Sequence, residues 1–176
     1  MAFGARRLSQ TDMSQRSTAE AGGPHADGMP MLGLGTWQND DPDACANAVS
    51  TALEAGYRHV DTAQAYGNEA HVGRGISEAD VDREDVFLAT KVWIDNLAYD
   101  DVLATTEASL ETLGVDYVDL LYVHWPSRTY DPEETFRAFD ELVDEGKVAR
   151  VGISNFLPAQ VDEAIEQTDA PIFANQ

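Results

Sequence analysis

Residues 56–69 read GYRHVDTAQAYGNE. Gly56 closes a helical segment, the apolar run RHV (58–60) follows, and Asp61 stands where that run ends, with Tyr66 five residues further on. A short buried strand that hands a carboxylate to the loop behind it is the unit that decides the fold, because the same unit recurs along the chain. Short apolar runs occupy MLGLGT (31–36), RHV (58–60), VFLAT (86–90), VDLLYV (118–123), VARVGI (148–153) and PIFAN (171–175). The gaps between them carry helices with readable ends. Asp41-Pro42 and Asp131-Pro132 are N-cap and first-turn pairs, and Gly56, Gly114 and Gly146 are stops. Val102, Leu103, Leu110 and Leu113 share one side of a helix, as do Phe136, Phe139, Leu142 and Val143. Pro158 opens a fifth helix carrying Val161 and Ile165, and a weaker one lies near Gly67 to Ser77.

Strand and helix alternating in this way predict an α/β fold with parallel strands joined by crossovers. Two architectures satisfy that pattern, an open doubly wound sheet and a (β/α) barrel. The nucleotide-binding fingerprint of the first is incomplete. GLGTWQ has Gly33 and Gly35 but Gln38 in place of the third glycine, and GRGISE fails at Glu78 in the same way. The residues that follow each strand favour the barrel. They are Thr36 and Trp37, then Asp61, Lys91, His124, Ser154-Asn155 and Gln176. In a barrel all of these meet at one rim, the face that carries active sites.

Asp61, Tyr66, Lys91 and His124 form a chemically coherent set. Burial would strip Lys91 of its proton, and an adjacent aspartate favours the ammonium. That ammonium is expected to lower the pKa of Tyr66, since ionising an ordinary phenol at pH 7 costs about 4 kcal/mol. Such a phenol can give a proton to a developing alkoxide. A histidine beside it can hydrogen-bond the same oxygen. No side chain carries hydride, so a nicotinamide cofactor is implied. Taken singly, each residue has a plainer role: Asp61 as an N-cap or surface carboxylate, Tyr66 as a loop aromatic, Lys91 as a solvated cation, His124 as a core histidine. Likewise Ser154-Asn155 could be a cap before Pro158, and the tryptophans core residues.

Together, GYRHVDTAQAYGNE, FLATKVW, DYVDLLYVHWP, GISNF and the final ANQ resemble the aldo-keto reductases, in order and spacing, and most nearly the bacterial 2,5-diketo-gluconate reductase type. The resemblance covers residues 30–176. It implies a (β/α)8 TIM-barrel fold and reduction of aldehydes or ketones to alcohols. It also implies a catalytic tetrad of Asp61, Tyr66, Lys91 and His124, with Tyr66 as general acid. The cofactor, NADPH with NADH as the alternative, would then be contacted by Thr36, Trp37, Asp61, Ser154, Asn155 and Gln176. Of these, Ser154, Asn155 and Gln176 would hold its carboxamide. Trp37, Trp93, Trp125 and His124 would line the carbonyl pocket.

Composition sets the remaining bounds. Residues 1–28 read as a polar, disordered tail, in which Arg6-Arg7 has no apolar segment behind it as an export signal would. Residues 29–176 read as about six β-α units, the N-terminal three-quarters of a barrel, because eight units need about 250 residues. On that expectation two open edges invite self-association. The single Cys45 permits no internal disulfide and reads as a small core residue. His25, His59, His71 and His124 lack paired-ligand spacing, so no metal site is expected. With 32 acidic and 11 basic residues the net charge is −21, which disfavours nucleic acid as a partner. No apolar run approaches membrane-spanning length. The spread of the acids fits a halophilic, acidic surface, and the lack of an apolar export or membrane segment in the sequence leads to the expectation of a cytoplasmic protein. Three functional readings stand: a reductase, a weakly active barrel fragment that needs a partner, and a cofactor-binding homologue without turnover.

Overall fold

The computed structural model describes residues 23–176. It begins with a small antiparallel hairpin, β1 (His25–Ala26) against β2 (Met29–Pro30). Asp27 and Gly28 turn it with φ of 48° and 87°, the left-handed pair that Asp-Gly adopts in two-residue hairpin loops. The tail expected to run to residue 28 therefore gives way to structure within residues 23–28. Residues 1–22 of that expected tail lie outside the described residues. Asp-Gly carried the signal, but two-residue strands are too short to show alternation.

Six parallel strands follow: β3 (Leu34–Gly35), β4 (His59–Asp61), β5 (Phe87–Val92), β6 (Leu120–Val123), β7 (Val151–Ile153) and β8 (Ile172–Asn175). Each is hydrogen-bonded to the next in chain order, β3-β4-β5-β6-β7-β8. A doubly wound sheet reverses its strand order at a switch point; this one does not, which is the barrel order. Gln176, just past β8, donates through Nε2 to Asp61 Oδ2 at 3.1 Å. Four strand spacings of about 4.8 Å would hold those ends about 19 Å apart in a flat sheet, so the sheet is strongly curled. Among the described residues, β3 and β8 each pair on one side only.

Among the described residues five helices cover the outside: α1 (Pro42–Glu54), α2 (Glu69–Glu78), α3 (Tyr99–Leu113), α4 (Pro132–Asp144) and α5 (Pro158–Gln167). Asp41 and Asp131 cap α1 and α4 as expected, accepting from Ala44 N at 2.8 Å and Glu134 N at 3.1 Å. Gly114 ends α3 with φ of 70°, a geometry that glycine adopts without strain. The outer core lies between these helices and the sheet. Leu53, Val60, Leu88, Val102, Leu121, Phe136, Phe139 and Ile153 are its buried members. Helix α5 is the exception to the expected stripes. Val161 packs against the core, but Ile165 is 57% exposed and Ala164 is the buried residue.

A second, smaller cluster fills the inside of the curl. It consists of Phe87, Ala89, Leu120 and Tyr122, with Met29, Phe173 and Ala174 against them. Strand β5 is thus buried on both faces, Leu88 and Val92 outward and Phe87 and Ala89 inward. Burial on both faces is why its sequence is a continuous apolar run rather than an alternating one. Met29 places the hairpin against this inner cluster, at the end where the strands begin.

Candidate active site

Asp61 is the last residue of β4. Lys91, expected just beyond its strand, lies within β5 instead. The ladder continues because Lys91 pairs with Tyr122 and Val92 with Val123. Strand geometry then turns Lys91 inward with Phe87 and Ala89, two and four residues before it. Its side chain is 1% exposed, and Nζ donates to Asp61 Oδ1 at 2.5 Å and to the Thr62 carbonyl at 2.8 Å. Burial pulls Lys91 below the ordinary lysine value, and the Asp61 charge and hydrogen bond oppose that pull.

Tyr66 ends a short 3-10 turn, Gln64–Tyr66. Its ring centroid lies 5.3 Å from Lys91 Nζ and 5.9 Å from the His124 ring, which it meets edge-on at 82°. His124 follows β6, and the Trp93 ring stands 5.3 Å from it. The four expected catalytic residues therefore share one rim of the curled sheet. Their electrostatics differ from expectation at one point. The Tyr66 phenol is pushed up rather than down, by burial first and by the Asp61 charge second. The reason is local. Asp61 sits against the ammonium, so the pair presents little net positive charge, and desolvation prevails. The phenol is held protonated, the form a proton donor needs. His124 is pulled down to about 4, by burial first and Lys91 second, so its imidazole is neutral at pH 7. Its Nδ1 is buried with no hydrogen-bond partner among the described residues.

The residues expected around a cofactor gather beside this set. Thr36 is buried and donates through N and Oγ1 to the Asp61 carbonyl at 3.0 and 3.3 Å. Beyond β7, Ser154 Oγ donates to the Gln176 carbonyl at 3.1 Å, and Asn155 N to the same oxygen at 2.9 Å. Asn155, with φ of 65°, also donates through Nδ2 to the His124 carbonyl and to Ser154 Oγ, both at 3.0 Å. Asn155 and Gln176 are exposed and Ser154 is buried, so two primary amides stand at the surface beside the tetrad with the Ser154 hydroxyl beneath them. The tryptophans divide. Trp93 packs its ring edge-on to His124, whereas Trp37 is 70% and Trp125 49% exposed.

Several residues that hold this geometry were not anticipated. Asn68, 1% exposed, donates through Nδ2 to the carbonyls of Thr36 at 2.8 Å and Asn39 at 3.2 Å. It accepts from Thr62 Oγ1 at 3.1 Å. It thereby ties the loop after β3 to the segment whose carbonyl receives Lys91. Gln64 Oε1 accepts from Trp93 N at 2.9 Å, and its Nε2 donates to Ser109 Oγ at 3.2 Å. Glu69 accepts from Thr90 Oγ1 at 2.6 Å and Ser109 Oγ at 3.1 Å, and burial raises its carboxyl pKa. Two amides flanking Tyr66 at −2 and +2 were the available signal, but a clamping amide and a solvated one look alike in sequence.

A cavity of about 350 Å³ lined by His25, Arg58, Asp119 and Arg150, among others, opens at the opposite end, beside the hairpin, and contains no tetrad residue. Among the described residues no group of three His, Cys, Asp or Glu could hold a metal ion, and no helix is long and apolar enough to cross a membrane.

Comparison with known proteins agrees with this geometry. The sequence pattern of the Aldo/keto reductase family matches residues 31–176. An aldo-keto reductase of Mycolicibacterium smegmatis is 44% identical over 169 residues, covering 93% of this chain and 58% of the relative. A solved structure named as a 2,5-diketo-D-gluconic acid reductase B superposes with a TM-score of 0.80 at 46% identity, covering 84% of this chain and 52% of that one. The Bombyx mori aldo-keto reductase in complex with NADP gives 0.79 at 36% identity, covering 84% and 54%. The chain spans about half the length of these relatives. With its rim residues in place and its pattern matched from residue 31 onward, the chain belongs to the aldo-keto reductase family.

Proposed function

We propose that this chain carries the proton-donating machinery of an NADPH-dependent reductase of aldehydes and ketones. The observation that carries the proposal is the buried Lys91–Asp61 pair at 2.5 Å, set against the Tyr66 ring and a neutral His124. When bound, the cofactor supplies the hydride. The carbonyl carbon that accepts it leaves a developing alkoxide on oxygen. Tyr66 gives its phenolic proton to that oxygen and regains one from solvent. His124, being neutral, donates a hydrogen bond to the same oxygen and orients it without adding a competing acid. Lys91 offsets the charge left on the Tyr66 oxygen, and Asp61 keeps Lys91 cationic at the moment this is needed.

The residues present fit a nicotinamide carboxamide, which needs both donors and acceptors. Ser154, Asn155 and Gln176 offer both at the ends of β7 and β8, and Thr36 and Trp37 follow β3 at the same end of the sheet. NADPH rather than NADH is supported by the NADP bound in the Bombyx mori relative. Trp93 is the wall of the carbonyl pocket nearest His124, and Trp37 and Trp125 form its exposed rim. The single buried Cys45 fits a reducing, cytoplasmic setting. The excess of acids fits an acidic surface suited to high salt.

A second reading rests on a separate observation. The outer edges of β3 and β8 are unpaired among the described residues, and open strand edges favour association. One assay separates the readings. The purified chain is mixed with NADPH and a simple aldehyde, and NADPH oxidation is followed by its near-ultraviolet absorbance. Oxidation that requires both chain and aldehyde is the expected result. Cofactor binding without oxidation would favour the non-catalytic homologue. Neither binding nor oxidation, with sizing showing oligomers, would favour the fragment reading.

A further inference from the structure

The Lys91 ammonium is bounded by more than its carboxylate. Tyr122 is its register partner on β6, is 3% exposed, and places its ring centroid 5.8 Å from Nζ. The Tyr66 ring lies on the same ammonium at 5.3 Å. The room for the Tyr122 ring comes from the next strand. Gly152 on β7 is the register partner of Tyr122. A Cβ added there would stand 2.5 Å from Tyr122 Cδ1 and 2.6 Å from Cε1, closer than non-bonded carbons approach. Gly152 does not have a left-handed φ, so its size rather than its backbone freedom is what this position uses.

An ammonium has three protons to place. Asp61 Oδ1 and the Thr62 carbonyl take two. A buried cation gains from an aromatic face within about 6 Å, and gains most when it is desolvated. We propose that Tyr122, seated in the gap left by Gly152, is a positioning residue that gives the Lys91 ammonium a second aromatic face and holds it in place for Tyr66. This rests on the reading of Lys91 as part of the proton-donating set. The other charged or titratable groups near Lys91 are Asp61 and His59 from β4, Tyr66 from the turn, and His124 after β6. Of these, Tyr66 presents a ring to the ammonium, at 5.3 Å, and Tyr122 adds the second, at 5.8 Å.

The test is read without cofactor or substrate, so its outcome is independent of whether the chain turns over a carbonyl. The chain has only two lysines, Lys91 and Lys147, so a carbon- and nitrogen-labelled sample gives two lysine side-chain signals, with Lys147 as internal reference. Tyr122→Met should lower the Lys91 titration midpoint by about 0.5–1.5 pH units. Tyr122→Phe, which keeps the ring and loses the hydroxyl, should leave it within about 0.3 units of the unmodified chain. An unchanged midpoint in Tyr122→Met would overturn the proposal, as would a drop in Tyr122→Phe equal to that in Tyr122→Met. If Tyr122→Met does not fold, or Lys91 does not titrate before unfolding, the unmodified chain decides. Lys91 ε-protons shifted upfield of those of Lys147 and cross-relaxing with the Tyr122 ring support the cage, and the absence of both overturns it.

Discussion

Lys91 and Asp61 form an ion pair at 2.5 Å in which the lysine side chain is 1% and the aspartate side chain 16% exposed. Asp61 Oδ2 also accepts from Gln176 across the curl of the sheet. The pair is therefore both the electrostatic centre of the site and a tie between two distant strands. Removing one partner of a buried pair leaves an uncompensated charge, which costs about 3–5 kcal/mol. Asp61→Asn should lower the unfolding free energy by that amount in chemical denaturation, and adding Lys91→Met to it should recover part of the loss. A single-variant loss under about 0.5 kcal/mol would contradict the assignment of a buried, charged Lys91.

The acid side of the stability profile should depend on two histidines. His124 and His59 are both held below the ordinary histidine value, chiefly by burial. Between the ordinary histidine value near 6.5 and the lowered folded values, about 4 for His124, the unfolded chain binds more protons than the folded one. Stability should therefore fall as pH drops through that window and rise again as pH returns to neutrality. His124→Asn should flatten part of this slope and leave the part due to His59. Denaturation midpoints at pH 4.5 and 7 measure it, and equal slopes in both proteins would rule out a buried, neutral His124.

Asn68 connects three groups, the Thr62 hydroxyl and the carbonyls of Thr36 and Asn39, of which the Thr36 carbonyl also accepts from Asn39 N at 3.2 Å. Asn68→Ala should cost about 1–3 kcal/mol, because buried polar groups are left unpaired. It should also loosen the Thr36–Asn39 loop, read as faster amide exchange there than in α4. Exchange rates unchanged from the parent would show that the loop is held by something else.

What the sequence disclosed and what it concealed follow from the same physics. The five helices and the six parallel strands of the described residues were legible, since caps, glycine stops and apolar runs are local signals. That Asp61, Tyr66, Lys91 and His124 would meet at one rim was legible, because each lies at or shortly beyond the end of a strand and a curled parallel sheet brings those ends together. The direction of the Tyr66 shift was not. It depends on how closely Asp61 neutralises Lys91, a distance no spacing rule supplies. The Asn68 and Gln64 clamps were hidden for a related reason: hydrogen bonds over 29 to 45 positions in sequence leave no periodicity. The hairpin at Asp27-Gly28 was missed because its strands are two residues long.

Surface charge should make stability depend on salt. A net charge of −21 on 176 residues is self-repelling at low ionic strength, and at 1 M salt screening falls to about 3 Å. The melting temperature should rise between low and molar sodium chloride. A melting temperature that does not change would separate the acid count from stability and leave the halophilic reading without support.

The central claim is that the Tyr66 phenol, held protonated beside Lys91, delivers the proton to the reduced oxygen. Its most direct test is NADPH oxidation with a saturating simple aldehyde in Tyr66→Phe, compared with the unmodified chain under the same conditions, with folding verified by circular dichroism. The predicted result is a fall in kcat of about 10²–10⁴-fold with cofactor binding retained. A folded Tyr66→Phe protein that turns over within about twofold of the parent would contradict it.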